Sequence, residues 1–430
     1  MKVSRYCLTF PYKADSDLSL FFSSKKSSAL LVPAAVIDDI ARGALSDEES
    51  DTLKELGIIA EHDEQAELLG FIEDINALRK RLDLIVVMNL DCNLACTYCF
   101  EGTRKGRLFL SADTADALIA FIENSLDGKE ELRITFYGGE PLLSLEQIVS
   151  IAERVKALAR ARNVKFILSL VTNGTLLTRS VVEKLKPLGL NSAKVTLDGP
   201  REVHDAFRPF KSGRGSFDSI IRTIHEICDL TNIQIGGNYT RDSYPGFPRL
   251  LDYLIEEGLT PDKIRAVKFD PVAQESSEYA LPDFNDGCAS LNEPWLFEAS
   301  VFLRNEIMKR GYRTPRIMPS PCMIELNSSF VVHYDGSLYK CPGLIGRRQY
   351  CVGHIADKVE EYRQSHHLDN WKNEQCLACA YLPLCFGGCR YMRLVREGSM
   401  EGVECRKPYF DAVLGELVHQ DAERESGAGT

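Results

Sequence analysis

Residues 84–100 read LIVVMNLDCNLACTYCF, and two signals meet in that stretch. From 84 to 90 the run is apolar except for Asn89, the pattern of a strand buried on both faces, and it breaks at Asp91 into a polar loop. The loop carries Cys92, Cys96 and Cys99 in the spacing C-x3-C-x2-C. Thiols this close are poorly placed to bridge in pairs but well placed to wrap one inorganic cluster. A 4Fe-4S cube held by only three thiolates keeps one iron without a protein ligand, and that iron can bind a substrate. A zinc knob, or a cluster completed by a distant cysteine, is the plainer alternative for a bare tricysteine loop.

Outward from the first strand, apolar runs alternate with helical periodicity. Helices are predicted over 112–125, 145–161, 180–188, 217–230 and 247–257, and strands over 132–136, 164–171, 193–197, 233–239 and 264–269. With the first strand this makes six strand-and-helix units. Such repetition implies parallel strands joined by right-handed crossovers, an α/β sheet or barrel, complete or partial. Function on such a scaffold sits in the loops after the strand C-termini. Those loops hold the three cysteines, then Tyr137-Gly138-Gly139-Glu140-Pro141, Thr172-Asn173-Gly174 and Asp198-Gly199-Pro200.

The combination of C-x3-C-x2-C after a strand, Tyr98 before the last cysteine, and Gly138-Gly139-Glu140-Pro141 about 40 residues later resembles the radical S-adenosylmethionine (radical SAM) superfamily over roughly residues 82–275. The resemblance implies a partial (β/α)6 barrel in which the cluster's open iron chelates S-adenosylmethionine. It further implies reductive cleavage to a 5′-deoxyadenosyl radical that abstracts a substrate hydrogen, with a flavodoxin- or ferredoxin-type electron donor. By the same analogy the cofactor contacts are Tyr98, Gly138, Gly139, Glu140, Thr196 and Asp198, with Arg208 or Arg222 for the carboxylate. Glycines at 138 and 139 suit a close backbone approach to a ligand. Asp198 before Gly199-Pro200 is equally a turn former, and Arg208 equally an ordinary surface charge.

Eight of the 14 cysteines lie at or beyond Cys322. Cys322 and Cys341 flank Gly336 as C-x13-G-x4-C, Cys376, Cys379, Cys385 and Cys389 read C-x2-C-x5-C-x3-C, and Cys405 follows. This arrangement resembles the SPASM extension of radical enzymes that act on peptides and proteins. It implies two auxiliary 4Fe-4S clusters, making three in all: one on Cys322, Cys341 and Cys389, the other on Cys376, Cys379, Cys385 and Cys405. The first is one ligand short. Cys351 either closes it, or is a small buried hydrophobe while the open iron awaits a substrate thiolate. Cys7, Cys228 and Cys288 stand alone and read as packing residues.

Residues 1–80 differ in character. Strands over 18–22 and 29–32 form a hairpin around SSKKSS, helices follow over 34–41 and 47–56 with Ser46 and Glu49 as a capping box, and 67–80 is a helical connector. A small winged-helix-like α+β module that recognises a peptide fits, as does a cap that merely covers the barrel end. The divisions expected are therefore 1–80, the barrel at 81–275, a linker and helix at 276–314, the cluster-bearing tail at 315–415, and a frayed end at 416–430.

Composition removes other classes. A net charge of −11 gives no support for nucleic-acid binding. No apolar run approaches the roughly 20 residues that span a bilayer, and no signal peptide opens the chain, so a cytoplasmic location is expected, where disulfides are disfavoured. Two branches of radical enzymes compete. Sulfatase-maturating enzymes usually carry an aspartate after the G-x4-C cysteine, and here that residue is Pro342, which cannot accept a proton. Maturases of ribosomally made peptides carry an N-terminal peptide reader, to which a leader adds as a strand; residues 3–10 and 18–22 are the expected edge. The overall form most resembles the latter, possibly geopeptide-type maturases, which implies a small leader-bearing peptide substrate and a thioether crosslink. An iron-sulfur electron-transfer protein without radical chemistry is the reading of a different class.

Overall fold

The computed structural model describes residues 2–12, 17–33, 35–275, 281 and 284–427, with side chains to 424. The N-terminal part comprises β1 (Lys2–Val3), β2 (Cys7–Pro11), β3 (Leu18–Ser23), β4 (Ser28–Pro33), α1 (Ala35–Arg42), α2 (Asp47–Glu55), β5 (Ile59–Ala60) and α3 (Glu64–Leu78). The alternating part runs β6 (Arg81–Val87), α4 (Ala112–Ser125), β7 (Glu131–Tyr137), α5 (Leu145–Ala161), β8 (Lys165–Thr172), α6 (Arg179–Leu185), β9 (Leu190–Thr196), α7 (Arg201–Phe207), α8 (Phe217–Ile227), β10 (Asn232–Tyr239), α9 (Phe247–Glu256) and β11 (Ile264–Pro271). Then follow α10 (Pro294–Lys309), β12 (Ser329–Val332), β13 (Leu338–Tyr339), α11 (Glu374–Leu377), α12 (Leu382–Cys385), α13 (Arg390–Glu397) and α14 (Lys407–Gly427).

The six alternating strands lie side by side and parallel in chain order, as the repeat implies. One face of each packs on the crossover helices: Leu82, Leu84, Ile134, Phe136 and Leu168 share a core with Leu118 and Ile122 of α4 and Ile148, Ile151 and Val155 of α5. Each fully buried chain of this kind contributes about 1.5–3 kcal/mol. Helix starts follow local chemistry. Ser111 Oγ accepts from Thr114 N at 3.0 Å ahead of α4, and the Ser46–Glu49 capping box forms ahead of α2.

The tail does not stand apart from this sheet. β12 adds parallel to β6, pairing Phe330 with Leu84 and Val332 with Val86, and β13 extends the edge antiparallel, giving eight strands. Lys340 is fully buried there, and its Nζ donates to the Leu326 and Ser329 carbonyls at 2.6 Å each. The tail also carries the N-terminal part: Tyr6, Leu68 and Ile72 pack with Trp371, Leu382 and Phe386.

Two expectations need correction. Residues 18–22 are no sheet edge, because β3 is the middle strand of the β2-β3-β4 sheet, bonded on both sides. Residues 3–10 divide between β1, which pairs with β5, and β2, which does lie at the edge of its sheet, with α14 against it: the Phe10 ring lies against Gly415, and Pro11 O faces His419 Nε2 at 3.0 Å. The segment 416–430 is not frayed up to 427; it continues α14, held by Asp421 against Arg304 of α10 at 2.6 Å, while 428–430 lie outside the described residues. Part of the linker, 276–280 and 282–283, lies outside them too.

Candidate functional site

All six parallel strands end at one cavity of about 430 Å³. Cys92, Cys96 and Cys99 enter it from the loop after β6, Gly138 and Gly139 from the end of β7, and Thr172 and Asn173 from the end of β8. Thr196 of β9, Asn238 of β10 and Val272 after β11 complete the ring, and the tail contributes Pro342, Gly343 and Tyr391. The cysteine loop is held by backbone and side chain alike. Ala95 N donates to Pro209 O at 2.8 Å and Thr97 N to Phe207 O at 3.0 Å, while Lys211 Nζ reaches Asp91 Oδ1 at 2.7 Å. Asn173 Nδ2 bonds Asn93 Oδ1 at 2.8 Å and approaches Cys92 Sγ at 3.7 Å; Leu94 N also points at that sulfur, at 3.4 Å.

Three thiols around one cavity, with N–H donors aimed at a sulfur, are the donor set of an iron-sulfur cluster. Among the described residues no group of three His, Cys, Asp or Glu side chains closes tightly enough for a single metal ion.

The expected cofactor contacts separate into two kinds. Tyr98, Gly138, Gly139, Thr196 and Arg208 line the cavity. Glu140, Asp198 and Arg222 do not, and their assignment as direct contacts is corrected. The Glu140 carboxylate is fully buried and accepts from Leu142 N at 3.1 Å, Thr172 Oγ1 at 2.8 Å and Asn173 N at 2.8 Å, so it ties β7 to β8. Burial raises its pKa, and these donors pull it back. Asp198, also fully buried, accepts from the Tyr98 hydroxyl and from Asn238 N at 2.7 Å, and pairs with Arg208 at 3.6 Å. Burial holds its carboxyl above the usual range against the pull of Arg208. Arg208 NH1 in turn donates to Tyr98 Oη at 2.7 Å, so Asp198 fixes the two residues that face the cavity. Arg222 lies on the exposed face of α8.

The glycine pair also has a second function. A Cβ on Gly138 would sit 2.4 Å from Asn89 O, and one on Gly139 would sit 2.1 Å from Asp91 O. Their bareness therefore seats the β7 loop against the cysteine loop as well as opening the backbone to a ligand.

In the tail, electrostatic coupling joins Cys376, Cys379, Cys385 and Cys405 into one group, and Cys322, Cys341 and Cys389 into another. Cys351 packs against the same apolar cluster as Cys322 and Cys341. Its Sγ donates to Gly353 O at 3.1 Å and lines a second cavity of about 570 Å³ that shares Phe100 and Glu101 with the first.

Sequence reasoning passed over several lining residues: Glu101, Lys105, Lys194, Asn238, Tyr391 and Gly343. Asn238 had a usable signal, a polar residue at the C-terminal end of a strand. Tyr391 had none, because its place depends on how the tail folds back. Glu101 is 3% exposed, and burial pushes its carboxyl up to about 7 against the charges of Lys105 and Arg104.

Comparison with known proteins matches these features. Residues 86–251 match the radical SAM superfamily. The chain is 27% identical over 279 residues to the uncharacterized protein MJ0907 of Methanocaldococcus jannaschii, covering 64% of this chain and 89% of that protein. It is 24% identical over 370 residues to the cysteine-type anaerobic sulfatase-maturating enzyme of Clostridium novyi, covering 78% and 96%. In structure it is similar to native anSMEcpe with bound AdoMet, at TM-score 0.61 and 20% identity over 81% of this chain and all of that one. It is also similar to Streptococcus suis SuiB bound to its precursor peptide SuiA, at TM-score 0.57 and 16% identity over 94% of this chain and 98% of that one.

Proposed function

The chain is a radical SAM enzyme, and we propose that it matures a ribosomally made peptide, installing a thioether crosslink on a cysteine-containing core. Cys92, Cys96 and Cys99 would hold the 4Fe-4S cluster, with S-adenosylmethionine beside Gly138, Gly139, Tyr98 and Arg208. Once bound, the pair supplies a 5′-deoxyadenosyl radical that takes a hydrogen from the substrate.

The observation that carries the choice of branch is Pro342. It lines the cavity immediately after Cys341, the position where the sulfatase-maturating branch places its proton acceptor, and a proline ring accepts no proton. The fold is shared with a precursor-peptide-bound enzyme over 94% of this chain and with a peptide-bound anSMEcpe over 80%, so a peptide substrate suits both branches. In the N-terminal part β2 and β4 are the two edges of the β2-β3-β4 sheet; α14 lies against β2, and a leader adding along β4 would extend the sheet. Cys376, Cys379, Cys385 and Cys405 would hold one auxiliary cluster. Cys322, Cys341 and Cys389 would hold the other, leaving a place for the thiol of the substrate.

The test is co-expression with short cysteine-containing reading frames that neighbour the gene, followed by mass spectrometry. A two-hydrogen loss on a peptide whose cysteine resists alkylation is expected. Formylglycine on a sulfatase-derived cysteine peptide, with no modification of any neighbouring peptide, would favour sulfatase maturation instead.

A further inference from the structure

One carboxylate beyond the C-terminal end of β11 gathers side chains from three segments that also carry cysteines. Glu275 is 8% exposed at its side chain. Arg347 donates to its Oε1, the Tyr391 hydroxyl donates to Oε2 at 3.0 Å, and Arg104 stands 3.5 Å from the same oxygen. Arg104 and Arg347 are buried with it, at 11% and 5%. Arg347 lies six residues after Cys341, Tyr391 two after Cys389, and Arg104 five after Cys99.

The contacts of these partners bring the carboxylate close to the tail cysteines. Arg104 also donates to the Phe100 and Ile345 carbonyls, which joins the cysteine loop to the tail. The Tyr391 ring covers Gly343, where an added Cβ would lie 2.6 Å from the ring, and both residues line the radical cavity. Tyr391 packs against the same apolar cluster as Cys322 and Cys341. The cysteine loop has independent bonds to Phe207, Pro209 and Lys211, so Glu275 bears chiefly on the tail side. A charge held in such a low-dielectric setting acts strongly on its neighbours, and the potential of an iron-sulfur cluster follows the net charge around it.

We propose that Glu275 is a positioning residue for a cluster on Cys322, Cys341 and Cys389: tied to Arg347 and Tyr391, its carboxylate is fixed beside the ligand segments and keeps the reduction potential of that cluster low. The proposal rests on the assignment of those three cysteines to one cluster. Removing one negative charge from this group favours the reduced, more negative cluster, and removing one positive charge favours the oxidised cluster. Glu275 and Arg347 therefore pull in opposite directions, which a role in packing alone does not produce.

The test is a redox titration followed by electron paramagnetic resonance on the reconstituted full-length chain. Cys92→Ala, Cys96→Ala and Cys99→Ala together remove the first cluster, and the signal lost on adding Cys341→Ala identifies the cluster in question. Glu275→Gln should raise the reduced-to-oxidised ratio at the parent midpoint about tenfold, an upward shift of about 59 mV for one electron. Arg347→Gln should lower the ratio by a similar factor, and the double variant should return to within about twofold of the parent. Glu275→Asp and Tyr391→Phe keep the charge and should move the ratio by less than about threefold. If Glu275→Gln fails to take up iron, Arg347→Gln and Tyr391→Phe decide, by a downward shift in the first and little in the second. Shifts of one sign in Glu275→Gln and Arg347→Gln, or a shift in Glu275→Asp as large as in Glu275→Gln, would overturn the proposal. A Cys341-dependent signal that neither charge variant moves sinks the role of Glu275 alone, whereas the absence of any Cys341-dependent signal sinks the cluster assignment and the proposal with it.

Discussion

Replacing Gly139 by alanine tests whether the cysteine loop is seated by backbone contact with the β7 loop. The added methyl would lie 2.1 Å from Asp91 O and 2.6 Å from Asp91 C, both backbone atoms, so the two loops must part by more than about 1 Å to restore contact distance. Two hydrogen bonds span that gap, Gly139 N to Asn89 O at 3.0 Å and Glu140 N to Asp91 O at 2.8 Å. Losing them costs about 0.5–1.5 kcal/mol each, and overpacking adds about 1–3, for a total of about 2–6 kcal/mol. At about 2.1 cal/mol/K of unfolding entropy per residue, the melting temperature of a chain this long should fall by about 2–7 °C. Because the displaced segment leads directly into Cys92, reductive formation of 5′-deoxyadenosine should fall by on the order of a hundredfold, the scale of a misplacement near 1 Å. Gly106→Ala is the control, since its new methyl finds nothing closer than 3.9 Å. A Gly139→Ala protein that melts within a degree or two of wild type and forms 5′-deoxyadenosine at the wild-type rate would refute the reasoning.

Other perturbations probe the frame around the site. Arg304 is 8% exposed and bonds Asp421 at 2.6 Å, Gln420 at 2.9 Å and Leu417 O at 3.2 Å; among the described residues Arg304→Ala leaves Asp421 only Ile317 N at 3.2 Å and Arg424 at 3.9 Å, at a cost of about 2–4 kcal/mol, read as faster proteolysis within 407–424. His366 is fully buried between Tyr350 and Tyr362, and burial lowers its pKa from 6.5 to about 4. A depressed histidine pKa means the unfolded chain binds the proton more readily. Stability is therefore full above about pH 6.5 and lost as pH falls toward 4, by about 2 kcal/mol between pH 7 and 5. His366→Leu should remove that part of the acid limb in melts recorded across pH 5–7, and an unchanged slope would count against it.

The sheet order was legible because its signals are local. Each of the six parallel strands is a short apolar run closed by a polar loop, and each crossover helix keeps its own period, so no long-range information was needed. The cysteines were legible for the same reason, their spacings being short. What escaped depends on pairs distant in sequence. Nothing in Ser329 to Val332 announces that it will join β6, because a four-residue apolar run fits many partners. Nothing at residues 18–22 says whether the strand is central or at an edge, since pairing on both sides leaves the same alternation as pairing on one.

The strand-end polar residues show where pattern reading stops and accounting begins. Glu140, Asp198 and Glu101 are three buried carboxylates in the same ring of loops, and composition ranks them equally as ligand contacts. Hydrogen-bond accounting does not. Glu140 accepts from a hydroxyl and two backbone amides, and Asp198 from a phenol and a backbone amide while pairing with Arg208, so both are occupied in holding neighbouring strands and the residues that face the cavity. Glu101 has neither carboxylate oxygen matched among the described residues. A buried acceptor that the fold itself does not use is costly to keep, and the residue bearing it stands where two cavities meet. The carboxylates whose partners lie within the fold hold the strands and loops that frame the cavity.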